Sequence, residues 1–184
     1  MKKKTKQILL AFISMVLMIA LDQWTKMIAV ANWKETPKVL WKDVFELRYL
    51  ENIGAAFSSM EGKTVLLLLI TGLISVVLIF LYLVIPETKR WRFLRIALVL
   101  LIAGGIGNYI DRVRLGYVVD FLYFKAINFP IFNVADCYVT VGIIAIIFLV
   151  FLYYKDEEWD EVKQKLPAFM QKKKTEKDES EKNE

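Results

Sequence analysis

Gly104-Gly105-Ile106-Gly107-Asn108-Tyr109-Ile110-Asp111-Arg112 closes one long apolar run, and Asn133-Val134-Ala135-Asp136 opens the next. Between them lies Tyr117-Val118-Val119-Asp120-Phe121-Leu122-Tyr123-Phe124, an apolar stretch holding one carboxylate. An Asp or Arg at the centre of a membrane helix costs about 2.5–3.5 kcal/mol on insertion scales. Chains keep such residues for function, or place them near the interface where the cost falls. The depth of these polar groups therefore decides how the chain reads.

Working outward, four apolar segments are long enough to cross a bilayer. Ile8 to Ala31 is the first, Thr64 to Ile85 the second, Ile96 to about Ile110 the third and Tyr138 to Tyr154 the fourth. Pro86 closes the second, and aromatic residues flank the fourth, as suits the membrane interface. The 184 residues are 57% hydrophobic, above the 45–50% typical of soluble domains, and mean hydropathy is +0.42. The excess sits in these runs. The expected fold is an all-α integral membrane protein with four transmembrane helices and a small extracytoplasmic sheet. Phe45 to Tyr49 alternates with period two, as a half-buried strand does. Asn52 to Ser59 reads as a turn into a second short piece.

The net charge of +5 does not point to nucleic acid, because Lys and Arg flank the apolar runs. Lysines 2, 3, 4 and 6, the basic loop 89–95 and the Lys-bearing C-terminal region are all expected on the cytoplasmic side. Four spans satisfy that with both termini inside. Loop 32–63 and the connection 111–136 then face outward. Residues 1–154 form the expected membrane domain. Residues 155–184, more than half charged, read as a solvated cytoplasmic tail. A cleaved signal peptide ending at Ala29-Val30-Ala31 is the rival reading of the N-terminus. The polar Asp22-Gln23-Trp24-Thr25-Lys26 before that site argues against it, and cleavage would leave an odd number of spans.

At 1.5 Å per residue, Asp22 lies about 21 Å along from Ile8, in the outer half of a core roughly 30 Å thick. Asn108, Asp111 and Arg112 end the third span on the same side. Asp136 starts the fourth there, and Asn52 and Asp120 lie in the outer connections. Polar groups from five stretches thus share one depth. Each has a plainer use. Asp22 and Lys26, four apart, can pair; Asp111 and Arg112 can pair; Arg112 can snorkel. Gly104 and Gly107 permit close packing, of neighbouring helices or of a docked substrate helix. Asn133 and Asp136 fit an N-cap and its N3 acid, which for Asp136 weighs equally with a functional role. Asp120 has no obvious structural use.

The chain has no histidine, so it holds no Ser-His-Asp triad, Cys-His pair or HExxH zinc site. Its one cysteine, Cys137, lacks a base to activate it and reads as a packing residue. Two carboxylates in one desolvated site share a proton, so that one activates water and the other polarises a carbonyl. Asp120 and Asp136 are the natural pair, and such chemistry calls for no cofactor and no metal. A proton or ion path would spread its acids over several depths. A metal-dependent lipid-modifying enzyme would be sensitive to EDTA.

Asp22-Gln23-x-Thr25-Lys26, Asn52-x-Gly54-Ala55-Ala56-Phe57, Gly107-Asn108-x-x-Asp111-Arg112, Val118-Val119-Asp120-Phe121 and Phe132-Asn133-Val134-Ala135-Asp136 together resemble the lipoprotein signal peptidases, or signal peptidase II. The blocks stand in the family's order over roughly residues 8 to 154. The resemblance implies four membrane helices with an outward β-cradle, and Asp120 and Asp136 as a catalytic aspartate dyad. It implies Asp22, Lys26, Asn52, Gly54, Asn108, Asp111, Arg112 and Asn133 as supporting residues. It further implies a bacterial cytoplasmic-membrane enzyme cutting prolipoproteins on the N-terminal side of a diacylglyceryl cysteine. Membrane lipids and the cyclic peptide globomycin are the other partners it implies.

Overall fold

A computed structural model describes residues 3–54 and 64–167. The piece expected at Ala55 to Ser59 and the tail beyond residue 167 lie outside the described residues. Among the described residues, four helices are long and apolar enough to span a membrane: Lys4–Trp33, Thr64–Val84, Arg92–Leu115 and Val134–Tyr153. They belong to α1 (Lys3–Trp33), α2 (Thr64–Val84), α3 (Arg92–Leu115) and α4 (Val134–Phe148), the last prolonged by a π-helical turn, Leu149–Tyr153. α3 is the most buried and packs against each of the other three.

Small residues let α3 sit at the centre. A Cβ on Gly104 would lie 2.5 Å from the Ala135 carbonyl oxygen and 2.7 Å from Val139 Cγ2; one on Gly107 would lie 2.7 Å from Asp22 Oδ2. α1 and α4 therefore occupy the Gly104/Gly107 face. The expectation of a substrate helix docking there is corrected: the face is filled from within the chain.

The two span boundaries beside the candidate site also move. α3 does not stop at Ile110. It continues through Asp111 and Arg112 until Gly116, at φ +84°, ends it and donates its N–H to Arg112 O. Glycine takes that left-handed conformation without strain. α4 starts at Val134 rather than Tyr138, because Asn133 and Asp136 form a complete capping box there.

The sheet is antiparallel, ordered β1 (Lys38–Trp41), β2 (Phe45–Asn52), β3 (Val118–Phe124). Asp43, at φ +58°, makes the tight β1–β2 turn, and a bulge interrupts the β2–β3 register between Leu47 and Leu50. Beyond the bulge Leu50 pairs with Asp120 and Asn52 with Val118. A single bridge from Leu122 to Phe132 brings the chain before α4 alongside β3. The sheet packs on the end of α1 through Ala29, Val119 and Phe121.

At the opposite end of the bundle, Arg95 is buried and donates to Tyr82 O and Ile85 O at 2.9 Å each, capping the end of α2. Composition changes at Lys155, but packing continues past it. Trp91 stacks on Tyr154 and donates to Glu161 from the last short helix, α5 (Trp159–Lys163), and Arg90 forks onto Glu158.

Candidate active site

Asp120 on β3 and Asp136 in the first turn of α4 line one cavity of about 880 Å³. Asp120 is buried, Asp136 half-buried. Three asparagine amides hold them. Asn52 Nδ2 donates to Asp120 Oδ2 at 2.8 Å, and Asn133 Nδ2 donates to Asp120 Oδ1 at 2.6 Å. Asn108 Nδ2 donates to Asp136 Oδ1 at 2.8 Å, while the Asn133 backbone N–H donates to Asp136 Oδ2 at 3.0 Å. Asn133 thus touches both carboxylates, one through its side chain and one through its backbone.

The amides cannot turn round without loss, because each oxygen is claimed by a group that only donates. Asn52 Oδ1 accepts from the Gly54 N–H at 3.0 Å, and Asn133 Oδ1 from the Asp136 N–H at 3.0 Å. Asn108 Oδ1 accepts from Lys26 Nζ at 2.9 Å and from Asn133 Nδ2 at 3.1 Å. Their NH2 groups must therefore face the two aspartates. These donors are neutral, so they orient the carboxylates without fixing both as anions.

Behind this layer lies a cation. Lys26 Nζ is 2.9 Å from Asp22 Oδ2 and 2.9 Å from Asp111 Oδ2, and all three groups are buried. With Asn108 as third acceptor, all three ammonium donors are used. Asp22 Oδ1 accepts from the Ala135 N–H at 2.9 Å, tying α1 to the positive end of α4. Asp111 Oδ2 accepts from the Val119 N–H at 3.1 Å, setting the start of β3 next to Asp120. Gln23 Nε2 joins the two carboxylates, 3.2 Å from Asp22 Oδ2 and 2.8 Å from Asp111 Oδ1.

The structure brings together Asp22, Lys26, Asn52, Gly54, Asn108, Asp111, Arg112, Asn133, Asp120 and Asp136. The Asp22–Lys26 pair forms as expected. The Asp111–Arg112 pair does not: Asp111 turns to Lys26 and Gln23, and Arg112 donates to Gly54 O at 3.2 Å. Gln23 was missed; its position three residues before Lys26, on the same helix face, was the available signal. Cys137 lines the cavity and donates weakly to Asn133 O at 3.4 Å.

Burial, and then the charge of Asp136, pushes the Asp120 carboxyl up to about 7, against the opposing pull of Asn52, Asn133 and Lys26. At neutral pH it holds and releases a proton readily, which is what general acid–base work requires.

The model of the family described as "Signal peptidase (SPase) II" matches residues 14–152. The chain belongs to the signal peptidase II family. It is 44% identical to the lipoprotein signal peptidase of Enterococcus faecalis over 144 residues, covering 77% of this chain and 88% of that protein. It is 42% identical to that of Streptococcus thermophilus over 147 residues, covering 79% and 92%. Two solved structures, each described as a bacterial membrane enzyme, superpose with a TM-score of 0.69. One is 32% identical, covering 76% of this chain and 86% of its own; the other is 31% identical, covering 78% and 94%. As a signal peptidase II, the protein is a membrane peptidase, and its four spans and three-stranded sheet agree with that.

Proposed function

We propose that the chain is a membrane-embedded aspartic endopeptidase that removes the signal peptide from diacylglyceryl-modified prolipoproteins. The bond cut lies on the N-terminal side of the lipidated cysteine. The observation that carries this reading is the pair Asp120 and Asp136, joined through Asn133 in one cavity of a signal peptidase II.

The dyad holds one proton. The ionised carboxylate takes a proton from water as its oxygen attacks the scissile carbonyl carbon. The protonated carboxyl gives its proton to the carbonyl oxygen, forming a gem-diol. Collapse breaks the C–N bond, a proton passes to the leaving nitrogen, and the signal peptide leaves with a new carboxyl end. Asn52, Asn108 and Asn133 aim the aspartates; Asp22, Lys26 and Asp111 hold Asn108 and the ends of β3 and α4 in place. Gly54 and Arg112 shape the rim between β2 and α3.

Residues 1–154 are the peptidase domain of a bacterial cytoplasmic-membrane protein, with both termini cytoplasmic and the site at the outer face. Residues 155–184 are a charged cytoplasmic tail whose first part docks on the basic loop at Arg90 and Trp91. A signal peptide is itself a membrane helix, and its lipid anchors the scissile bond at this depth. Membrane lipids surround the site, and globomycin occupies the dyad. No metal or cofactor takes part.

The test is cleavage of a diacylglyceryl prolipoprotein in detergent with EDTA present. Wild type cleaves, and Asp120→Asn and Asp136→Asn do not. Cleavage surviving in either variant removes that residue from the chemistry; loss of wild-type cleavage in EDTA alone replaces the dyad with a metal.

A further inference from the structure

A hydroxyl in a bilayer normally bonds to its own helix, because no water is there to satisfy it. Ser14 and Ser75 donate to the carbonyls four residues back at 2.8 Å each, and Thr25 donates to Asp22 O at 2.8 Å. Thr140 departs from this pattern. It is exposed on α4, one turn after Asp136, and its hydroxyl has no partner among the described residues. Thr71 on α2 shares that lack but lies outside the cavity lining. Thr140 lines the cavity together with Asp136, between Cys137 and Val141. One turn places it about 6 Å from Asp136 along the helix, toward the bilayer middle.

We infer that the Thr140 hydroxyl donates to an ester carbonyl of the diacylglyceryl group on the substrate's cysteine. It thereby sets how deep that cysteine sits relative to the dyad. This rests on the proposed function. Carbonyls inside the signal-peptide helix are already bonded to that helix's own N–H groups. The glyceryl esters have no N–H of their own. They are joined to the residue beside the scissile bond, and their chains run toward the bilayer middle, past Thr140 to the apolar Val141.

The experiment compares wild type, Thr140→Val and Thr140→Ser on two prolipoprotein substrates, one with a diacyl (ester) and one with a dialkyl (ether) glyceryl group. Valine keeps the shape and removes only the O–H. On the ester substrate Thr140→Val raises KM roughly three- to tenfold with kcat unchanged, the loss of one neutral hydrogen bond. Thr140→Ser, which keeps the O–H, restores most of it. On the ether substrate Thr140→Val matches wild type. An unchanged KM on the ester substrate overturns the inference. An equal rise on both substrates overturns the ester assignment and gives the hydroxyl to a peptide carbonyl. Absence of wild-type cleavage on the ester substrate would instead overturn the proposed function. Thr140 is exposed to the cavity and its hydroxyl bonds to nothing among the described residues, so valine there leaves the thermal midpoint at or above that of wild type.

Discussion

Two pairs of aspartates lie close together at the sheet end of the bundle and are held in opposite ways. Asp22 and Asp111 share a lysine, whose ammonium sits 2.9 Å from each. Asp120 and Asp136, which line the cavity, receive only neutral amide donors. Lys26, the buried cation at this end of the bundle among the described residues, is spent on the pair outside the cavity lining. A carboxylate clamped by a buried ammonium and by N–H donors from other elements makes a good strut. A carboxylate held by amides keeps access to both protonation states. The location of Lys26 thus separates acids that hold the fold from acids that can move a proton.

The largest expected effect is on the amide-held pair. Asp120→Asn removes a proton carrier while keeping the side-chain shape. It lowers the cleavage rate by at least about 10²–10⁴-fold, the range for losing a general acid–base group. Next comes the cation. Lys26→Met leaves Asp22 and Asp111 buried without their cation, at a cost of about 3–5 kcal/mol. In detergent the thermal midpoint falls by on the order of 10 °C, and cleavage falls with the folded fraction.

A smaller effect is the pH profile. Asp120 has a folded value of about 7, above the usual carboxylate value of about 3.9. Between these values the folded chain binds more protons than the unfolded one, so stability falls as pH rises across that window. Cleavage falls as pH rises through about 7, because Asp120 then gives up the proton that the dyad needs. Asn52→Leu removes a donor that favours the ionised form, so it moves this alkaline limb to higher pH; an unmoved limb would assign it to another group. The smallest effect is at the far end. Glu158→Gln weakens the half-buried pair with Arg90 and shifts the midpoint by at most about 2 °C, with cleavage unchanged.

The four spans were legible because a bilayer demands long apolar runs, and the shared depth of the polar residues followed from counting along them. The sheet was half legible. β2 alternates apolar and polar residues from Phe45 to Tyr49, though Glu46 is its one fully buried side chain, but β1 is exposed throughout and Val118 to Phe121 are all buried. Neither flanking strand shows the period-two signal, since one has no covered face and the other has two. Members of the site were legible by residue type and spacing, and so was the Asp22–Lys26 pair, which is local. The partition of acids was not. It depends on Lys26 reaching Asn108 and Asp111 on a different helix, more than eighty residues away. The amide orientations follow from that contact and from the Gly54 and Asp136 N–H groups, none of which a linear pattern reveals.

The most direct test places the same substitution in each pair. Asp111→Asn and Asp136→Asn are purified, and thermal midpoint and prolipoprotein cleavage are measured on each. Asp136→Asn keeps its midpoint within about 3 °C of wild type and does not cleave. Asp111→Asn loses an acceptor for Lys26, Gln23 or Val119 and has the lower midpoint, with residual cleavage by the folded fraction. Equal falls in midpoint, or cleavage by Asp136→Asn, would contradict the division between the two pairs.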